Sequence, residues 1–294
     1  MKRKFIIGTR GSSLAVIQAE WVAQNLKQFW GDDYEFELKI IKTTGDVLQK
    51  KNTLAKPPKG LFTKEIEIAL QMKNIDLAVH SCKDLPIELD KIFCMAAVPQ
   101  RASAHDALIS KSPLNMMPQT ACILSGSPRR KSQWMEQHPQ TSIEPIRGNI
   151  DTRIKKLREN SNAWGLILAE AGLQRRRPSL DDLHVHVFSL EEMLPAPGQG
   201  ALAIEVRTAD EEAHAVAAKL NDPISEIQIK AERAFLKAMG GGCRAAIGAY
   251  AEPLKDGNLK LYGVSYDLNA QGIRKSKIGN DPECLGKTLA EEYR

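Results

Sequence analysis

Apolar residues in this chain fall into short runs and helical repeats separated by small polar turns. Lys4 to Ile7 reads as a short strand ended by Gly8-Thr9-Arg10-Gly11-Ser12-Ser13, after which Leu14, Ile17, Trp21, Val22 and Leu26 recur at helical spacing. Glu35 to Ile41 alternates as a strand with one covered face does, and Thr43-Thr44-Gly45-Asp46 ends it. Lys50 to Lys59 is too rich in Pro and charge for an element interior and predicts a mobile basic loop. Leu61 to Met72 predicts an amphipathic helix with Phe62, Ile66, Ala69 and Leu70 inward, and Ile75 to His80 an apolar strand running into Ser81-Cys82-Lys83-Asp84-Leu85-Pro86.

After Met95 to Val98 the chain crosses a candidate linker, Pro99 to His105, and the pattern starts again. Asp106 to Ile109 and Ala121 to Leu124 read as strands; Ser127 is placed as the N-cap of a helix with Pro128 at its first position. Ile143 to Ile146 leads through Arg147-Gly148-Asn149 into another helix, and Trp164 to Ala169 is a buried strand ending in Glu170 to Arg177. Leu194 to Gly200 is a Pro/Gly crossing that reads as a return to the first unit, followed by an alternating strand. Asp210 to Leu220 and Ile224 to Met239 predict amphipathic helices, and Ala246 to Glu252, Leu259 to Ser265 and Ile273 to Ile278 a small antiparallel sheet.

Strands alternating with helices predict an α/β protein, and 294 residues exceed one ordinary core, so two or three domains are expected. With 43% hydrophobic and 26% charged residues, the composition excludes disordered and fibrous classes. Phe5-Ile6-Ile7 is halted at once by Gly8, and no apolar run reaches membrane length, so a cytoplasmic protein without a membrane partner is expected. Five Cys, widely spaced and free of CxxC pairs, suggest neither a disulfide framework nor a metal site.

The formal charge of +5 is small for this size, and its placement says more than its sum. Five turns carry arginine, mostly at strand ends, where open α/β sheets collect ligands. Only 5% of residues are aromatic, so a base-stacking face is not indicated; Arg, which fixes carboxylates bidentately, points instead to a small polyanion in a pocket. No GxxxxGK[ST] loop is present, against nucleoside triphosphates. Asp84, beyond a strand end, can stabilise developing positive charge or handle protons, or be a turn carboxylate paired with Lys83. Three glycines precede Cys243, and Arg244 beside the sulfur favours thiolate; the alternative is a tight turn beside a structural cysteine.

The ordered motifs Gly8 to Ala15, Lys59 to Glu65, His80 to Pro86, Arg147-Gly148-Asn149 with Thr152-Arg153, Ala171-Gly172-Leu173, Pro197 to Ala201, Ala231-Glu232-Arg233 and Gly241-Gly242-Cys243 closely resemble the porphobilinogen deaminase family over nearly the whole chain. The resemblance implies two hinged periplasmic-binding-protein-like domains of type II, residues 1–99 with 197–220 and residues 105–194, and a small α+β domain, 221–294, with a three-stranded antiparallel sheet. It implies a monomer that deaminates porphobilinogen and joins four molecules head to tail into hydroxymethylbilane. The primer is a dipyrromethane cofactor bound to Cys243 through a thioether.

Carried over residue by residue, Asp84 stabilises the cationic pyrrole left when ammonia departs. Lys83, Asp84, Ser13, Ser127, Arg129, Arg130 and Gly172 hold the cofactor, and Arg10, Ser12, Arg147, Arg153 and Lys59 hold substrate carboxylates. Departures from the family pattern are Arg244-Ala245-Ala246 after the cysteine, His105 in place of an arginine, and Gly126 and Pro128 in the turn before Arg129. A catalytically impaired anion-binding homologue is the alternative that such departures raise, and an unrelated thiol hydrolase would need a histidine beside Cys243 that no feature of the sequence nominates.

Overall fold

The computed structural model describes residues 3–45, 63–241, 246–266 and 271–294. In chain order its elements are β1 (Arg3–Arg10), α1 (Ser13–Trp30), β2 (Tyr34–Ile41), α2 (Lys64–Gln71), β3 (Leu77–Ser81), β4 (Phe93–Ala97), β5 (Asp106–Ser110), β6 (Cys122–Leu124) and α3 (Pro128–Gln137). There follow β7 (Ser142–Glu144), α4 (Ile150–Glu159), β8 (Ala163–Ala169), α5 (Glu170–Arg176), β9 (His184–Val187), β10 (Leu202–Arg207), α6 (Glu211–Ala218) and α7 (Pro223–Ala238). The chain closes with β11 (Ile247–Pro253), β12 (Leu259–Tyr266), β13 (Gly272–Gly279) and α8 (Pro282–Glu291). The expected loop from Lys50 to Lys59, and Phe62 of the expected helix, lie outside the described residues.

The chain divides into two compact units, Met1–Arg101 with Ala201–Glu226, and Ala102–Gly200 with Ile227–Arg294. In the first, a five-stranded sheet runs β2-β1-β3-β10-β4, with β1, β2 and β3 parallel and β10 antiparallel to both its neighbours. Successive side chains of a strand point to opposite faces, so alternate residues feed two cores. Phe5, Ile7, Leu77 and Val79 meet α1 and α6 through Ala19, Val22, Leu26, Ala213, Val216 and Ala217. On the other face Ala78 meets Ile66 and Leu70 of α2. Trp21, one of the apolar repeats read for α1, is 41% exposed, because the helix buries Gln18, Ala19, Val22 and Leu26 instead.

The second unit repeats that plan. Its sheet runs β7-β6-β8-β5-β9, with β6, β7 and β8 parallel and β5 antiparallel to β8 and β9. In each sheet the antiparallel strand is the one next to a crossing between units, β5 after Arg101/Ala102 and β10 after Gly200/Ala201. Ala107, Ile109, Leu124, Leu166 and Leu168 pack on α4, while Leu108, Ile123 and Ile167 pack on Trp134 of α3 with Phe188 and Met193.

The three-stranded antiparallel sheet β11-β12-β13 belongs to the same unit and has its own core. Ala249, Ala251, Leu259 and Leu261 face Ala231 and Phe235 of α7 and Leu285 and Leu289 of α8. Val264 and Tyr266 lie against Leu194. Buried Glu232 braces this junction, accepting from Gly198 N at 2.7 Å and from Ala251 N at 3.0 Å, and Ala249 N donates to Pro195 O at 2.9 Å.

Candidate functional site

Parallel neighbours emit their carboxyl ends on one edge of a sheet, and in the first unit that edge carries Arg10, Ser12, Ser13, Lys83 and Asp84. Ile7 pairs with Leu77 and Gly8 with Ala78, so the turn after β1 and the turn after β3 emerge side by side. The first delivers half-buried Arg10, Ser12 and Ser13; Ser12 caps α1, its hydroxyl accepting from Ala15 N at 3.3 Å. The second is a single 3-10 turn, Cys82–Asp84, closed by Leu85 N donating to Cys82 O at 3.2 Å, with Lys83 half-buried and Asp84 exposed. Gln18 of α1 hydrogen-bonds Ser81, and Cys82 N donates to Ala201 O at 3.0 Å, so the turn that presents Asp84 is fixed to α1 and to the strand beside it.

In the second unit the ends of β6, β7 and β8 form the equivalent edge. Ser127 accepts from Arg130 N at 3.4 Å and starts α3, with Pro128 in its first turn as the sequence predicts. Arg147 is exposed beyond β7, and half-buried Arg153 donates from Nε to Gly148 O at 2.7 Å. Gly172 is buried in the first turn of α5, directly after β8.

Arg129 and Arg130 are only 4% and 6% exposed, and both guanidiniums turn onto one carboxylate, Asp106. Asp106 reaches them because β5 runs antiparallel to β8, pairing Asp106 with Ala169 and so bringing its first residue to the edge where β6 and β8 end. Burial opposes its ionisation, but the two guanidiniums outweigh that and hold its carboxyl well below the usual range; burial likewise lowers Arg129. The sequence pattern marks Asp106 only as a strand residue and Gln199 only as a crossing residue. The available signal was a carboxylate opening an apolar strand, since a buried carboxylate needs a cation.

The crossing beside this cluster is tight. Gly200 has φ +87°, and a Cβ on it would lie 2.5 Å from the carbonyl oxygens of both Ala102 and Ser103. Arg175 Nη2 donates to Gly200 O at 2.7 Å.

Cys243, Arg244 and Lys59 lie outside the described residues. On the near side of the thiol, α7 ends with Gly240 at φ +64° and Gly241 N donating to Leu236 O at 3.1 Å; on the far side Ile247 opens β11. The described cysteines are 82, 94, 122 and 284, and burial pushes the Cys94 and Cys122 thiols up, away from reactive thiolate. Among the described residues no group of three or more His, Cys, Asp or Glu side chains could hold a metal ion, and no helix is long and apolar enough to cross a membrane.

Two mixed sheets of one repeated order, each presenting cations at its carboxyl edge, define a ligand-binding α/β protein with an added antiparallel sheet. The chain belongs to the porphobilinogen deaminase family: residues 5–215 match the model for its dipyrromethane cofactor-binding domain and residues 227–294 the model for its C-terminal domain. It is 41% identical to the porphobilinogen deaminase of Bacillus subtilis over 99% of this chain and 92% of that one. The porphobilinogen deaminase of Thermus thermophilus is 38% identical over 99% and 95%. Among solved structures, the methionine-binding protein MetQ aligns with a TM-score of 0.45 at 11% identity, covering 74% of this chain and 89% of that one.

The donor set suits a carboxylate-bearing cofactor. The buried pair Arg129 and Arg130 faces a single Asp, so the site keeps an excess positive charge, and Ser127 and the amino end of α3 stand beside it.

Proposed function

We propose that the chain is a hydroxymethylbilane synthase, which releases ammonia from porphobilinogen and joins four molecules head to tail into the linear tetrapyrrole. The observation that carries this reading is the convergence at sheet edges: Arg10, Ser12, Ser13, Lys83 and Asp84 in one unit, and Ser127, Arg129, Arg130, Arg147, Arg153 and Gly172 in the other, all follow the carboxyl ends of parallel strands.

Each pyrrole carries acetate and propionate, so a lengthening chain accumulates negative charge that only repeated cations can hold. Arg10, Arg147, Arg153 and Lys59 take substrate carboxylates with Ser12 as a further donor; Arg129, Arg130, Lys83, Ser13, Ser127 and Gly172 form the cofactor's seat. Asp84, exposed at the end of its turn, faces substrate and stabilises the positive charge that develops on the pyrrole as ammonia leaves. Cys243 anchors the dipyrromethane as a thioether, and that group when bound supplies the pyrrole end that primes the chain. The reading includes three domains (1–99 with 197–220, 105–194 and 221–294) in a cytoplasmic monomer with no nucleic-acid partner.

Intact-mass measurement with peptide mapping tests it. A two-pyrrole adduct on Cys243, in protein that releases ammonia from porphobilinogen, is the expected result; an unmodified Cys243 in protein that turns over would overturn the anchor.

A further inference from the structure

Asp106 has no exposed surface, and both of its carboxylate oxygens are committed. Oδ2 accepts from Arg129 Nη1 at 2.7 Å; Oδ1 accepts from Arg130 Nε and from Gln199 Nε2, each at 2.9 Å, with Arg130 Nη2 2.7 Å away. Further bonds run to main-chain carbonyls: Arg129 Nη1 to Leu194 at 2.7 Å, Arg130 Nη1 to Ile167 at 3.0 Å and Gln199 Nε2 to Ala104 at 2.8 Å. The carboxylate therefore joins three segments, the start of β5, the first turn of α3, and the return segment that ends at Gly200.

Charge decides what this cluster is for. Two guanidiniums against one carboxylate leave one positive charge at a site nine-tenths or more buried, and the charges acting on Arg129 are Asp106 and Arg130. The second cation helps hold Asp106 ionised, but it leaves the cluster with a buried charge that has no counter-ion, which is costly unless an anion arrives to balance it. An excess of one cation is what a site needs if it is to accept one further carboxylate. Geometry points to Arg129 as the docking group: Arg130 commits Nε and Nη2 to Asp106 and Nη1 to Ile167 O, whereas Arg129 is bonded through Nη1 and keeps the Nε/Nη2 edge of its fixed plane for that carboxylate.

We propose that Asp106 is a positioning residue that orients Arg129 and Arg130, sets their cluster to a single positive charge so that it takes one carboxylate of the cofactor, and through Gln199 ties that binding to the paired chain crossings. This rests on the reading of Arg129 and Arg130 as cofactor-holding residues. Asp106 itself touches neither substrate nor cofactor.

The test compares full-length wild type with Asp106→Asn and Gln199→Ala in three measurements: thermal midpoint with and without inorganic phosphate, the fraction carrying the two-pyrrole mass, and KM and kcat for porphobilinogen. Asp106→Asn raises the cluster to two positive charges, so phosphate is expected to raise its midpoint several degrees more than that of wild type. Its loaded fraction is expected to fall about tenfold, and in Gln199→Ala KM is expected to rise about fivefold with kcat within about twofold of wild type. A purely structural role lowers both midpoints and leaves loading, phosphate response and KM unchanged in the folded molecules; that result overturns the proposal. If Asp106→Asn does not fold, Gln199→Ala decides alone, and wild-type loading with wild-type KM overturns the proposal. A wild type that neither carries the adduct nor consumes porphobilinogen fails the proposed function instead, and the phosphate comparison still decides Asp106.

Discussion

His80 Nε2 lies 3.0 Å from Glu205 Oε2, with both side chains buried between neighbouring strands of the first sheet. His80 pairs with Ala203 and Glu205 with Ala78, so the contact is a diagonal cross-strand link between β3 and β10. It sits one residue before Ser81, where β3 gives way to the turn that presents Asp84. Its influence extends to α2: burial pushes the Glu67 carboxyl up, and the Glu205 charge pushes it further. Glu205→Ala strips His80 Nε2 of its carboxylate partner, and the expected cost is about 1–3 kcal/mol, read as a lower urea midpoint. Glu205→Gln, which keeps a hydrogen-bonding group in place, is expected to lose less.

Asp84→Asn separates chemistry from folding. The turn is closed by a main-chain bond from Leu85 N to Cys82 O and by Cys82 N on Ala201 O, neither of which involves the carboxylate. The stability read from thermal unfolding should therefore stay within about 0.5 kcal/mol of wild type. Loss of the fixed negative charge should lower the rate of ammonia release by about 10²–10³-fold. Near-normal release would remove Asp84 from the chemistry.

Gly200→Ala tests the crossing. The backbone at φ +87° is strained for any side chain, and the added Cβ would meet two carbonyl oxygens at 2.5 Å, both of them main-chain atoms that cannot rotate away. The conformational strain alone is worth about 1–3 kcal/mol, and the Arg175 bond to Gly200 O would shift with the backbone. A midpoint unchanged from wild type would show that the segment relaxes freely.

The parts of this molecule written in local pattern were legible in its sequence. β1, β3 and β8 show as apolar runs, and α3 is announced by Ser127-Pro128 because an N-cap acceptor and a fixed φ act within a few residues of themselves. The same grammar opens α8, where Asp281 accepts from Cys284 N at 2.6 Å ahead of Pro282, a cap that the strand pattern before it does not announce. β9 is not legible in local pattern: His184-Val185-His186-Val187 has exposed valines, and only pairing with β5 makes it a strand. The Asp106 cluster depends on an antiparallel register that brings residues 106, 129, 130 and 199 together, which no local spacing encodes. The motifs named the two arginines; they gave no sign that both are shared with a carboxylate.

Alkaline pH should loosen the C-terminal sheet through Tyr293. Its ring packs edge-on against Phe235 at 5.5 Å, and its oxygen accepts from Lys275 N at 3.1 Å. Burial pushes the phenol up to about 12, with the nearby Glu292 carboxylate adding to the shift while the Lys275 amide opposes it. An unfolded tyrosine ionises near pH 10, so the folded state here holds its proton longer than the unfolded state does. Stability from this group is therefore complete below about pH 10 and is lost as pH rises through about 12, with a slope of one proton. Burial, together with the bond to Glu136, also raises Tyr266, on the face of the same sheet that meets Leu194, so the two phenols act in one direction. In Tyr293→Phe the alkaline loss of stability should be shallower by one proton, and the latest phase of tyrosinate absorbance should shrink. An unaltered slope, with all tyrosines ionising together near pH 10, would mean that Tyr293 is solvated and that the Phe235 contact does not shield it.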